Sequence, residues 1–299
     1  MSEPRFPSIP ASKGHYESYY LRAADPEGGR SAWIRHTVFK RPGGPPTGAL
    51  WCTLFEAGRE PRAVKQSLPG PRPGDWLTIG DSHFGPAGAS GRADALGRAA
   101  QWDLSFGPSS APLRHLPARL YDAPLPRTKL ESPLPDTTIS GRVEDWELDG
   151  WPGMVGHNWG AEHAERWIWL HGVFEEGAWL DVALGRVKLG PALTPWIANG
   201  ALSISGERRT VRGLARVEES ARGGTVRAGG LRIEVAAPQV VCWIYADPPG
   251  GEHRSTNCSI ARLELSVDGH TVRTEYGGAW ELGTREAPPG VDAQPYPDP

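Results

Sequence analysis

Apolar and polar residues alternate with a period of two along most of the chain, the period of side chains on a β-strand. This pattern predicts strands over residues 16–24, 31–40, 48–56, 63–67, 75–83 and 98–106, then 137–148, 178–189, 201–205, 211–218, 231–236, 240–246, 259–267 and 271–282. Turn residues separate them, and Asp268-Gly269 between the last two is the strongest hairpin signal in the chain. Residues 48–56 are apolar on both alternating sets, so that strand is expected to be buried on both faces. One helical candidate stands apart, residues 92–100.

Residues 107–135 carry a proline every few positions and almost no periodicity. They predict a linker laid in extended form over the surface, anchored by Leu113, Leu116, Leu120, Tyr121, Leu125 and Leu130. The chain then divides into an N-terminal β domain over 1–135 and a C-terminal β barrel over 136–299. Eight or so antiparallel strands with short turns make a barrel or sandwich able to hold one small ligand. The tail after Glu286 is Pro-rich and expected to be loose.

Composition sharpens the β reading: 38 Gly, 30 Pro and 13 Trp beside two Met suit short strands and tight turns. The formal charge of -3 comes with no basic stripe or charge run, so neither nucleic acid nor an anionic membrane surface is expected as a partner. No apolar run is long enough for a transmembrane helix and the first ten residues do not resemble a signal peptide, which predicts a soluble, cytoplasmic protein. Cys52, Cys242 and Cys258 lack metal or disulfide spacing and are expected to be free core thiols.

The densest chemistry lies in residues 156–171, Gly-His-Asn-Trp-Gly-Ala-Glu-His-Ala-Glu-Arg-Trp-Ile-Trp-Leu-His. Three indoles are wasted on a solvated loop, and His and Glu are costly in a plain core unless paired. On a strand, Glu165, Trp167, Trp169 and His171 share one face while Arg166, Ile168 and Leu170 share the other. The first face suits a wall that stacks on an apolar ligand and exchanges a proton with it.

His157 is the candidate base, and Glu165, Glu162 or Asp181 the candidate acid. Asn158, Trp159, His163, Trp167, Trp169, His171 and Trp179 are candidate ligand contacts. Plainer roles stand beside these. Asn158 could lock a turn, Glu162 could pair with Arg166, and Asp181 with Arg186. The spacing of His157, Glu162, His163 and His171 fits no usual zinc arrangement, so no metal is expected. Neither a phosphate-binding glycine loop nor a Gly-x-Ser-x-Gly elbow is present.

Four features carry a resemblance: Glu-Ser-Tyr-Tyr from Glu17, Lys-Leu-Glu-Ser-Pro from Lys129, His-Asn-Trp-Gly at His157 with its Trp-x-Trp at Trp167, and Gly-Gly-Ala-Trp-Glu-Leu-Gly from Gly277. In their order the chain resembles the two-domain lipocalin-like family of carotenoid hydratases, AttH-type proteins, tocopherol cyclases and lipocalin-like Diels-Alder cyclases. The resemblance implies an all-β fold of two lipocalin-like barrels or sandwiches packed together. It also implies an apolar pocket for an isoprenoid- or polyketide-like polyene and hydration or cyclisation without a cofactor. The alternative from a different class is a carrier that binds a hydrophobic small molecule and catalyses nothing.

Overall fold

Strong alternation and short turns drive residues 15–69 into four consecutive antiparallel strands, His15–Asp25, Arg30–Lys40, Thr47–Glu56 and Arg62–Pro69. In the computed structural model, which describes residues 3–297, they form one end of a twelve-stranded sheet. The chain is all-β. Among the described residues the only helical pieces are the 3₁₀ turns Phe6–Ser8, Ala118–Leu120 and Glu175–Gly177.

From the first four strands the sheet continues through Trp146–Gly160, Thr128–Val143, Arg98–Phe106, Gly88–Ala95 and three short pieces, Ser82–Gly85, Leu77–Ile79 and Arg72–Pro73, while Leu113–Arg114 pairs with Thr128–Val143 off this path. It curls into a half-barrel, so that Gln66 accepts from the amide of Asp94 across the gap. A second sheet closes on itself. Arg166–Val173, Trp179–Arg186, Trp196–Ile204, Glu207–Ser220, Gly223–Ala228, Leu231–Ala236, Glu252–Val267 and His270–Thr284 form an eight-stranded barrel, closed by pairing of Leu231–Ala236 with Glu252–Val267. Two lipocalin-like β units packed together are thus the architecture.

The barrel lumen is a packed core. Ile168, Leu170, Val182, Leu184, Ile233 and Leu265 point inward and are buried, as eight strands leave room for little more than side chains. Its other face carries Trp167, Trp169, His171, Asp181 and Ala183, turned toward the Ser18, Tyr20 and Arg22 face of the first sheet. Fully buried Arg22 ties the two together, donating to the carbonyls of Ser259 (2.8 Å) and Gly278 (3.0 Å) and to His171 Nδ1 (3.0 Å).

Three expectations need correction. Residues 92–100 are no helix but the hairpin Gly88–Ala95/Arg98–Phe106, turning at Leu96 and Gly97, both with φ > 0. Its alanines favour helix locally, yet Ala93 and Ala100 are buried on the inner face and strand pairing prevails. Residues 107–135 are not wholly a linker. Thr128–Val143 is one long strand whose register shifts around Pro133 and Pro135, where the ladder lacks N–H donors, and these shifts hide its period. A break at 135/136 would therefore cut a strand, and the chain leaves the first sheet only after Gly160. The His-Asn-Trp-Gly motif accordingly ends a strand of the first sheet rather than belonging to the C-terminal barrel.

The three cysteines are free and buried. Asp268 and Gly269, both with φ > 0, make the expected hairpin turn. No helix of the described residues is long and apolar enough to cross a membrane.

Candidate active site

Because neighbouring residues on a strand point to opposite faces, the His-Asn-Trp-Gly motif is split. Asn158 pairs with Ser18 and faces the barrel, whereas His157 and Trp159 pair with Tyr19 and Glu17 and face the other way. His157 is fully buried there, its Nε2 2.8 Å from Glu17 Oε1 and its ring stacked between Tyr19 (4.2 Å) and Trp159 (4.5 Å). Burial raises the Glu17 carboxyl, but hydrogen bonds from His15 and His157 outweigh this and hold it at about 2. Glu17 also accepts from the amides of Arg5 and Phe6. His157 is thus committed to an ionised carboxylate that anchors the N-terminal segment.

On the barrel side of the sheet lies a cavity of about 510 Å³, in the range of small-molecule sites. The outer face of the barrel forms one wall, with Trp167, Trp169, Ala183 and Glu281. Opposite stand Tyr20, Arg35 and Asn158 of the first sheet, and Leu116, Leu120 and Leu125 of the 115–127 segment form an apolar roof. Lys129 Nζ holds that roof by donating to the carbonyls of Leu120, Ala123 and Pro126. Two glycines make room for the aromatics. A Cβ on Gly283 would lie 2.0 Å from the Trp167 ring, and one on Gly156 would lie 2.2 Å from Tyr20.

His163 is the titratable group best arranged to act in this cavity. Its ring lines the wall, stacked on Tyr16 (4.0 Å) and Trp167 (5.3 Å). Asp247 Oδ1 accepts from the His163 backbone amide (2.9 Å) and from Nδ1 (2.8 Å). Burial raises Asp247, but His163 and His253 outweigh that and keep it well below the usual carboxylate range. An ionised carboxylate can only accept, so Nδ1 carries the proton and Nε2 holds a lone pair. That Nε2 is buried and has no hydrogen-bond partner in the chain. Desolvation lowers the His163 pKa more than Asp247 raises it, so the ring is neutral near pH 7.

Glu281 supplies the buried carboxylate of the cavity, accepting from Trp167 Nε1 at 2.8 Å. The Asn158 amide also faces the cavity, and its Oδ1 is buried without a partner.

The structure places the three acid candidates elsewhere. Glu165 is bound by Arg285 (2.8 Å) and Lys188 (3.5 Å), and these cations outweigh partial burial to keep its carboxyl below the usual range. Glu162 pairs with Arg127 and Arg285 rather than Arg166. Asp181, fully buried, accepts from Ser132 Oγ and from Trp169 Nε1 (3.0 Å), with His115 Nε2 at 3.2 Å, and does not pair with Arg186. Burial raises it, but His115, His171 and Ser132 bring it to about 2. Its role is to orient the Trp169 indole. His171 is buried on Arg22, and desolvation followed by that guanidinium lowers it to about 3. Trp179 packs with Leu113 and Ala201.

Of the sequence candidates, Asn158, His163, Trp167 and Trp169 therefore share the cavity. Glu281 and Asp247 were not among those candidates. Glu281 lies within the closing Gly-Gly-Ala-Trp-Glu-Leu-Gly stretch, where an acid in an apolar run was a usable signal. Asp247, after the strand Val241–Ala246, carried none. His163, Asp247 and His253 bring metal-ligand atoms within 4.8 Å of one another. Oδ1 of Asp247 already accepts twice, however, and Arg285 lies 3.7 Å from Oδ2. That environment suits a carboxylate holding an imidazole better than one holding a divalent cation.

Two packed lipocalin-like β units with a cavity between them define the class of protein. No family model matches the chain. It is 25% identical over 297 residues to an uncharacterised protein of Mycobacterium tuberculosis, covering 91% of this chain and 87% of the relative. Among solved structures it is similar to a protein described as AttH from Nitrosomonas europaea, with TM-score 0.54, 15% identity and coverage of 92% of this chain and 93% of that one. It is also similar to kievitone hydratase from Nectria haematococca, with TM-score 0.58, 10% identity and coverage of 94% and 92%. At these identities the likeness is one of fold.

Proposed function

We propose that the chain is a hydratase that adds water across a carbon–carbon double bond of a lipophilic small molecule bound between the two units. The observation that carries this reading is His163, which lines an apolar cavity with its Nε2 buried and unpaired while Asp247 fixes the opposite nitrogen. The fold shared with kievitone hydratase supports the reaction class without supplying the substrate.

In the step proposed, His163 Nε2 takes a proton from water as the water oxygen bonds to one alkene carbon, and the Glu281 carboxyl gives a proton to the other carbon. The alkene thus gains one water. Return of the proton from the imidazolium to Glu281 through solvent restores both groups. Asp247 stabilises the transient imidazolium, as an orienting carboxylate does in other His-based sites. Trp167 and Trp169 face the substrate with π-systems that favour positive charge developing on carbon.

The experiment is turnover of a panel of polyenes, terpenoids and aromatic polyketides in isotope-labelled water, read by mass spectrometry. A product heavier by one labelled water, lost in His163→Ala and Glu281→Gln, is the expected result. A product of unchanged mass would make the reaction a cyclisation. Binding without any product would turn the reading to the carrier.

A further inference from the structure

Six large apolar residues are exposed among the described residues, and five of them gather at one place. Leu125, Leu189 and Ile197 line the cavity mouth, at 42%, 52% and 38% exposure. Leu193 stands across the small hairpin Lys188–Leu189/Ala192–Leu193, and Leu214, 71% exposed, pairs with Ile197 on the adjoining strand. Only Leu96 lies elsewhere, at the turn of the Gly88–Ala95/Arg98–Phe106 hairpin. Chance scatter of single surface leucines does not build such a rim.

Cations outnumber acids on the rim, and Asp122 of the roof segment is its exposed acid. Lys188 and Arg212 stand beside these leucines, Arg119 lies on the roof segment, and Arg127 follows Leu125 and Pro126. Arg119 and Arg212 are exposed and have no ion pair among the described residues. Of the nearby acids, Glu162 and Glu165 are already paired with Arg127, Lys188 and Arg285, and Asp122 stands on the roof segment between Arg119 and Arg127. Residues 186–199 contain Arg186 and Lys188 and no acid, in a chain whose net charge is -3.

We propose that this rim docks on an anionic lipid bilayer, with the leucines in the headgroup boundary and the arginines on lipid phosphates. The cavity mouth then opens onto the phase where a lipophilic ligand resides. Exposed leucines beside unpaired cations are the recognition chemistry of an interfacial anchor, and neither part alone binds durably. The expectation of no membrane-surface footprint was drawn from a charge pattern along the chain. Here the rim is assembled from segments near residues 119–127, 186–197 and 212–214, which lie side by side only in the fold.

This inference rests on the hydratase reading only for the lipophilic nature of the ligand, and its test uses none. The full chain is floated with vesicles of phosphatidylcholine alone and of phosphatidylcholine with phosphatidylglycerol. We expect flotation with the anionic vesicles, weakened by high salt as screening shortens. Leu189→Ser with Leu193→Ser, and separately Arg119→Glu with Arg212→Glu, should lower the bound fraction about tenfold, while Leu96→Ser leaves it unchanged. Unaltered thermal melting shows that the variants are folded. Failure of the native chain to float with either vesicle, or equal flotation of all variants, overturns the proposal. So does a dimer in light scattering that Leu189→Ser with Leu193→Ser disperses, since the rim would then be a contact between copies. Loss of turnover in His163→Ala is measured independently, so either reading can fail alone.

Discussion

His163 and Asp247 are placed to act as a pair, and the pair makes a pH prediction. The base form of His163 is required, and burial holds its pKa below the ordinary 6.5. As far as His163 sets it, activity on an identified substrate is therefore expected to be lost as pH drops through a value below 6.5. A profile with its acid limb above 6.5 would count against His163 as the base. His163→Ala should reduce turnover roughly a hundredfold or more, the usual scale for losing a general base, while ligand quenching of tryptophan fluorescence persists. Asp247→Asn, acting through His163, should shift the acid limb as well as slow turnover, which a merely structural role would not do. Gly283→Ala tests the wall itself. Its methyl would displace the Trp167 indole from its bond to Glu281, and we expect weaker ligand binding at near-native stability, read by fluorescence titration and thermal melting.

Buried charges and rings joining strands govern how stability depends on pH. Desolvation lowers fully buried His171 and His36 to about 3. A group with a depressed folded pKa contributes stability that is complete above its unfolded pKa and is lost as pH falls, here between about 6.5 and 3. Glu17 and Asp181, at about 2, add losses of the same sign below their ordinary values of 4.5 and 3.8. Each group contributes at most about 1.4 kcal/mol per pH unit within its window. Denaturant midpoints should therefore fall steadily from pH 6.5 to 4, and a flat curve there would show that these rings are not held neutral. Arg22 is the element-level cross-link between the sheets. Arg22→Met should cost about 3 kcal/mol or more, because His171 and two carbonyls lose their donor inside the interface. Urea unfolding measures it, and a loss under about 1 kcal/mol would contradict the assignment.

At the scale of the whole molecule, we take the two units to be the sheet over residues 3–160 and the barrel from Arg166 onward. The cavity exists only where their outer faces meet. Trp51 of the first sheet packs at 4.9 Å on Trp243 of the second, and Arg22 reaches the barrel backbone. Unfolding should accordingly be one cooperative transition, seen together by tryptophan fluorescence and far-ultraviolet circular dichroism. Two separated transitions would show the units to be independent.

Local pattern by itself determined the all-β class, the Asp268-Gly269 turn, the free buried cysteines and the alternation that puts Trp167, Trp169 and His171 on one face. Each depends on the period of the strand or on the chemistry of adjacent residues, and neither needs knowledge of distant partners. Alternation also implies that His157 and Asn158 face opposite ways, but which of them meets ligand depends on which face the barrel covers. The fold chose Asn158 and left His157 on Glu17, a partner 140 residues away. The fold likewise paired Glu165 with Arg285, brought Asp247 to His163, and set Glu281 across the indole of Trp167. Such pairings follow from strand order and sheet packing, where long-range contacts decide whether a carboxylate is a buried acid, an ion pair or a brace.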